Sequence, residues 1–200
     1  MAHLLFDGEI KPSHCTYHNR NVPLLKHVEE RMRQVYDFEP KRYRDRTTGV
    51  ARICYFNVAL SAYMREKSRD LLQRILILPK DLKREFLRAF FNDEGCMDFR
   101  PLQNVRQIRG YQKNVQILKM VQKLLADLAI DSNIMLPNEV VIRGKENLQR
   151  FEKEIGFSAG VRVNGNRSNS IWKQHIEKKE LLRRAIASFK PIGSSGVHRY

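Results

Sequence analysis

Two stretches of this 200-residue chain finish alike, with an acid and then a glycine: MAHLLFDG closes on Asp7 and Gly8, and LKREFLRAFFNDEG closes on Asp93, Glu94 and Gly95. In the second stretch Leu82, Phe86, Ala89 and Phe90 share one helical face, and Pro79 with Asp81 supplies a start signal. The acid therefore arrives where a helix must stop. Negative charge there opposes the helix dipole and costs a few tenths of a kcal/mol, up to about 1, so the carboxylate serves something other than the helix. Two such carboxylates brought together make a hard-oxygen site suited to Mg²⁺. A divalent ion can activate water and relieve charge on a phosphodiester, the requirements of nuclease chemistry.

The elements that must position these acids recur as well. Ala2 lies five residues before Asp7, and Ala89 lies five before Glu94. Glu9 to Arg20 reads as a short hairpin, after which Asn21 opens a helix to about Tyr36 with Leu24, Leu25, Val28, Met32 and Val35 on one side. After the second acid, Asn114 opens a helix whose Ile117, Leu118, Val121, Leu125 and Leu128 stand at the same offsets from their asparagine. Lys41 to Asn57 predicts a basic arm, a Thr47-Thr48-Gly49 turn and a strand, and Asn57 caps a helix to about Arg74. The counterpart is a Pro137-Asn138 turn, a strand Glu139 to Arg143 and a helix Leu148 to Ile155. Each half reads helix, two strands, helix, two strands, helix. A loop from Gly156 to Asn169, a charged helix from about Ile171 to Ser188 and a disordered tail Pro191 to Tyr200 complete the chain.

Both acid-glycine stretches resemble the LAGLIDADG motif of homing endonucleases, LRAFFNDEG more completely than MAHLLFDG, whose helix is shorter than the family's. RQIRGYQKNVQILKMVQKLLADLAI and GKENLQRFEKEIGF are similar to segments that follow the second motif in archaeal-type, two-repeat members. The resemblance implies an α+β fold in which two pseudo-symmetric αββαββα repeats (residues 1–78 and 79–188, with 189–200 as tail) form a DNA-binding saddle. It implies that Ala2 and Ala89 form the helix interface and that Asp7 and Glu94 bind metal and catalyse cleavage, one strand each. It also implies a basic residue near each metal site. Lys67 fits that place in the first half, while Arg162, Arg167 and Lys173 stay open in the second.

The charge agrees with a polyanionic partner: 37 Lys and Arg against 22 Asp and Glu give +15. Nucleic acid fits best, with ribosomal contact or an anionic membrane surface as blander alternatives. The arm carries Arg42, Arg44 and Arg46, and the longer hairpin Cys96 to Gln112 carries Arg100, Gln103, Asn104, Arg106, Arg109 and Gln112. These types grip phosphates and read base edges. No apolar run reaches membrane-spanning length. Cys15, Cys54 and Cys96 have no metal spacing, and His14, Cys15 and His18 lack a second ligand pair. With no signal peptide, the expected setting is reducing and cytoplasmic. There is no phosphate-cradling glycine loop before a Lys-Ser or Lys-Thr pair, and no nucleophile triad.

The expectation is a monomeric, Mg²⁺-dependent, site-specific double-strand DNA endonuclease. The alternative is a catalytically inactive DNA- or RNA-binding protein on the same scaffold, a maturase or regulator that could engage intron RNA.

Overall fold

The computed structural model describes residues 1–163 and 176–189. The first half runs α1 (Ala2–Phe6), β1 (Gly8–Ile10), β2 (Cys15–Asn19), α2 (Val22–Tyr36), β3 (Lys41–Arg44), β4 (Ala51–Tyr55) and α3 (Val58–Arg74). After a 3-10 turn at Ile75–Ile77 come α4 (Lys80–Asp93), β5 (Gly95–Arg100), β6 (Val105–Tyr111), α5 (Val115–Ala126), β7 (Asn133–Met135), β8 (Glu139–Arg143) and α6 (Lys145–Glu154). A further helix, α7, spans Lys178–Ala187. The antiparallel sheets have orders β1-β2-β4-β3 and β5-β6-β8-β7, so the αββαββα unit is repeated strand for strand.

The asparagines start the helices as their spacing predicts. Asn57 Oδ1 accepts from the Leu60 amide at 2.8 Å and Asn114 Oδ1 from the Gln116 amide at 2.9 Å, each satisfying a first-turn donor. Asn21 also occupies the cap position, but its Oδ1 accepts from the Arg162 amide of the other half at 2.9 Å. From α2, Leu24, Leu25, Val28 and Met32 are buried. Val35, in the last turn before the left-handed Asp37, is exposed.

One face of each sheet meets helices and the other is open. Cys15, Tyr17, Ile53 and Tyr55 enter the first core, while Met97, Phe99, Ile108, Val140 and Ile142 enter the second. The halves also exchange side chains. Ala2, Leu5 and Phe6 of α1 pack on the second core, with Phe6 edge-on to Phe86 and Phe90 at 5.4 and 5.2 Å, and Val161 is buried in the first. The motif helices α1 and α4 thus pack together at the centre.

Two sequence expectations are corrected. Leu82 is 47% exposed. Lys83 is the buried residue there, its chain covered and its Nζ held by Asp127 at 2.5 Å, and α4 buries Phe86, Leu87, Phe90 and Phe91. α6 begins at Lys145, directly after Gly144 at φ +88°, a conformation glycine tolerates. α7 begins at Lys178; the expected start near Ile171 and the Pro191 to Tyr200 tail lie outside the described residues. Among the described residues no helix is long and apolar enough to cross a membrane.

Candidate metal and nucleic-acid site

Asp7 is the C-cap of α1 (φ −89°, ψ 17°) and Glu94 the C-cap of α4 (φ −101°, ψ −5°). The following glycines explain how both helix ends turn so sharply into strands. A Cβ on Gly8 would lie 2.5 Å from the Leu4 backbone, and one on Gly95 2.5 Å from the Phe91 carbonyl oxygen. No larger residue fits either place. The acid is therefore delivered at the same point of both repeats.

Both carboxylates are raised above the usual carboxylate range. Asp7 is pushed up to about 7, first by burial and then by the charges of Asp93 and Glu94, with Lys178 opposing. Glu94 is likewise pushed up to about 7, by burial and by Asp93, again with Lys178 opposing. Lys178 offsets only part of this negative charge, and a divalent ion would offset more. Mg²⁺ is commonly held by one or two carboxylates together with water and substrate phosphate, so this donor set fits it. Among the described residues no group of three or more His, Cys, Asp or Glu is arranged to hold a metal by itself.

Asp93 cannot join such a set, because its side chain is fully buried and committed across the halves. It accepts from His3 Nδ1 at 2.8 Å and from the Tyr17 hydroxyl at 2.7 Å. Asn19 Nδ2 donates to Asp7 Oδ2 at 2.9 Å and lies 3.4 Å from Asp93 Oδ1, tying the first-half acid to the second-half helix. The sequence displayed Asp93 beside Glu94, but nothing in the spacing disclosed its partners.

Lys178 is the larger surprise, since α7 reads as a solvated charged helix. It is buried, and Nζ donates to the carbonyls of Asn92 at 2.7 Å, Gly95 at 2.6 Å and Phe91 at 3.3 Å. It satisfies the end of α4 and places a cation where the dipole is negative. Burial lowers its pKa while the nearby acids oppose that shift. The backbone stitches it there: the Lys178 amide donates to Val161 O at 2.8 Å, Val163 N to Ile176 O at 2.9 Å, and Arg162 bridges to Glu177.

Of the other cationic candidates, Lys67 lies on α3, its Nζ donating to Asp70 at 3.3 Å, and it does not line the cleft beside Asp7. Arg162 does line that cleft; Arg167 and Lys173 lie outside the described residues. Ala89 is buried and Ala2 packs on the second core.

The cleft, about 1120 Å³, runs from Asp7 and Asn19 past the Thr47–Gly49 turn on one side and Cys96, Asp98 and Arg109 on the other. Register decides which basic residues face outward. Lys41 and Tyr43 align with Cys54 and Arg52, hence with Thr16 and His18, on the open face. Arg42 and Arg44 align with Ile53 and Ala51 on the helix side, and Arg42 pairs with Glu29 of α2. Arg46 is exposed in the turn. In the second sheet Arg100 and Arg109 share the open face with Asp98, Gln107, Glu139 and Arg143. Arg106 is on the other face, donating to Ser188 Oγ at 2.7 Å and lying 5.0 Å over Phe189. Gln103 accepts from Arg100 at 2.7 Å, Asn104 accepts from Arg106 at 2.6 Å, and Gln112 accepts from the Asn114 amide at 3.2 Å.

Comparison with known proteins is consistent with this geometry. Residues 81–156 match the model of the LAGLIDADG-like domain. No curated protein sequence matches. Among solved structures, mesophilic variants of the homing endonuclease I-DmoI are similar at TM-score 0.61 and 16% identity, over 77% of this chain and 86% of theirs. An I-DmoI variant with its target DNA, nicked in the coding strand, and Mn is similar at 0.58 and 16%, over 79% and 93%. Full-length DUF199/WhiA from Thermatoga maritima is similar at 0.65 and 14%, over 97% of this chain and 60% of its own length. The shared fold is the two-repeat LAGLIDADG fold.

Proposed function

We propose that this chain, built on the two-repeat LAGLIDADG fold, binds double-stranded DNA across its open sheet faces and cleaves it at specific sites with Mg²⁺ or another divalent cation. The observation that carries the reading is that Asp7 and Glu94 close equivalent motif helices packed against each other, with Asp7 lining a cleft that also holds Arg20, Arg109, Arg162 and Lys178. Asp7 and Glu94 would hold the metal. A divalent ion held there would supply a nucleophilic water at neutral pH and offset charge on the phosphate. Asn19 orients Asp7 through its 2.9 Å hydrogen bond, Gly8 and Gly95 hold the acids at the turns, and Lys178 keeps the Glu94 carboxyl from rising further. Lys178 replaces Arg162, Arg167 and Lys173 as our assignment for the second-half basic residue. Homing-endonuclease structures determined with target DNA and Mn or Mg share the fold, which supports both partners.

The test is selection of cut sites from a randomised duplex library with Mg²⁺, run beside Asp7→Asn and Glu94→Gln. The parent should cut double-stranded products, and each variant should lose cleavage of one strand or both while still binding. Cleavage unaffected by both substitutions overturns the site.

A second reading is binding to DNA or RNA without cleavage. Lys178 favours it, because a resident buried ammonium already offsets part of the acid cluster without a metal. Binding by the parent with no cut at any Mg²⁺ or Mn²⁺ concentration would select this reading.

A further inference from the structure

We propose that the two open sheet faces divide recognition of one duplex: the first sheet grips backbone phosphates, and the second reads base edges. The inference rests on the DNA-binding part of the reading above and holds with or without cleavage.

The difference lies in what the outward cations already touch. On the first sheet Lys41 and Arg52 make no ion pair among the described residues; Lys41 lies 5.4 Å over Phe56 and Arg52 4.6 Å over Tyr43. Arg46 in the adjoining turn is also without an ion pair. The nearby acids are engaged elsewhere. Asp45 accepts from the Thr47 and Thr48 amides at 2.8 and 3.2 Å, and Glu9 pairs with Lys11. This face keeps its charge, and unneutralised cations are what release counterions from a phosphate backbone.

On the second sheet a single acid organises the row. Asp98, 2% exposed, accepts from Arg100 Nε and Nη2 at 3.0 and 3.1 Å and from Gln107 Nε2 at 3.0 Å. Gln107 Oε1 accepts from Arg143 Nε at 2.8 Å. Arg109 is held by Glu139 through Nε and Nη2, with Nη1 3.8 Å from Asp98. The carboxylate pairings neutralise Arg100 and Arg109, and Arg143, held by the neutral Gln107, keeps its charge. These contacts also fix the guanidiniums before any ligand arrives, which lowers the ordering cost of a directional contact. Arg143 keeps both terminal nitrogens, the pair that meets guanine O6 and N7, and is exposed. The cleft joins the two faces, with Thr47–Gly49 on one wall and Asp98 and Arg109 on the other.

The experiment selects tight-binding duplexes from a randomised library with Ca²⁺ in place of Mg²⁺. Affinity is then measured for the selected and a scrambled duplex between about 50 and 200 mM KCl. Lys41→Gln and Arg52→Gln should each reduce the salt slope by about 1 on both duplexes and leave the selected-to-scrambled ratio unchanged. The charge-neutral double variant Arg109→Gln with Glu139→Gln should cut that ratio roughly tenfold with little change in slope, and Arg143→Gln, which also removes a cation, should cut the ratio to the same extent whatever its effect on the slope. Circular dichroism confirms that each variant folds. The division is overturned if first-sheet variants reduce the ratio, or if second-sheet variants change only the slope. A parent that retains no duplex would instead end the DNA-binding reading itself.

Discussion

The two motif helices reach the same end by unequal means. α4 has 14 residues and buries Phe86, Leu87, Ala89, Phe90 and Phe91, whereas α1 has 5 and buries only Leu4. Yet both close on an acid in the C-cap position and a glycine pressed against the residue four before it, Leu4 in one case and Phe91 in the other. Helix length therefore does not set the position of the acid. The turn into the first strand sets it, and the helix contributes the packing that keeps the turn in place. α1 makes up for its length with Phe6 against Phe86 and Phe90, and with His3 on Asp93.

That account breaks first where most surface is buried. Phe91→Ala should cost about 3–5 kcal/mol in urea unfolding, and Leu4→Ala about 2–3, because the second site empties less volume. Equal losses would mean that α1 carries as much of the fold as α4. Next comes the polar lock between them. Asp93→Ala leaves the Tyr17 hydroxyl and His3 without their acceptor and should cost about 2–3 kcal/mol, while Asp93→Asn, which keeps an acceptor oxygen, should cost about 1. If the two substitutions cost the same, Asp93 acts through its charge and not through the bonds that join the halves.

A smaller effect separates the acids from the rest of the fold. Asp7 and Glu94 rise from 3.8 and 4.5 to about 7 on folding, so the native state binds protons more tightly than the unfolded chain. The stability they contribute is fully present below about pH 4 and is lost as pH rises through about 7. Both sites are partly solvated, and the loss should be on the order of 1 kcal/mol each after screening. Asp7→Asn with Glu94→Gln should flatten that slope and raise the melting temperature at pH 8. Mg²⁺ at about 10 mM should raise the parent's melting temperature at pH 8 and leave the double variant's unchanged. A pH slope that survives the double substitution would place its origin elsewhere.

The repeat, the helix starts at Asn21, Asn57 and Asn114, and the acid-glycine ends were legible in the sequence because each is a local requirement: a period, a cap, a turn. Facing was not. A strand flips its side chains with a shift of one residue. The run KRYR offers two readings, and only pairing with β4 shows Lys41 and Tyr43 outward and Arg42 and Arg44 on the helix side. Arg106 and Arg109 separate in the same way, by the face of β6 on which each falls. The Asp98 network depends on three strands, and Lys178 on a backbone pairing between residues near 162 and 177, contacts that no sequence window contains.

Lys67 is where that difference becomes smallest and sharpest to measure. The family resemblance implied it as the first-half basic residue. Its ammonium is exposed, paired with Asp70 at 3.3 Å and with Glu66 at 3.8 Å, and 5.6 Å over Tyr63. An exposed helical pair of this kind is worth a few tenths of a kcal/mol, so Lys67→Ala should change stability by less than about 0.5 kcal/mol and leave the cleavage rate at its parental value. Lys178→Met, by contrast, removes the donor to three carbonyls and a cation that acts on both acids, and NMR titration should show Asp7 and Glu94 moving further upward. A Lys67→Ala variant that binds DNA normally but cuts much more slowly would return the assignment to α3, and would mean that α3 moves toward the cleft when DNA is bound.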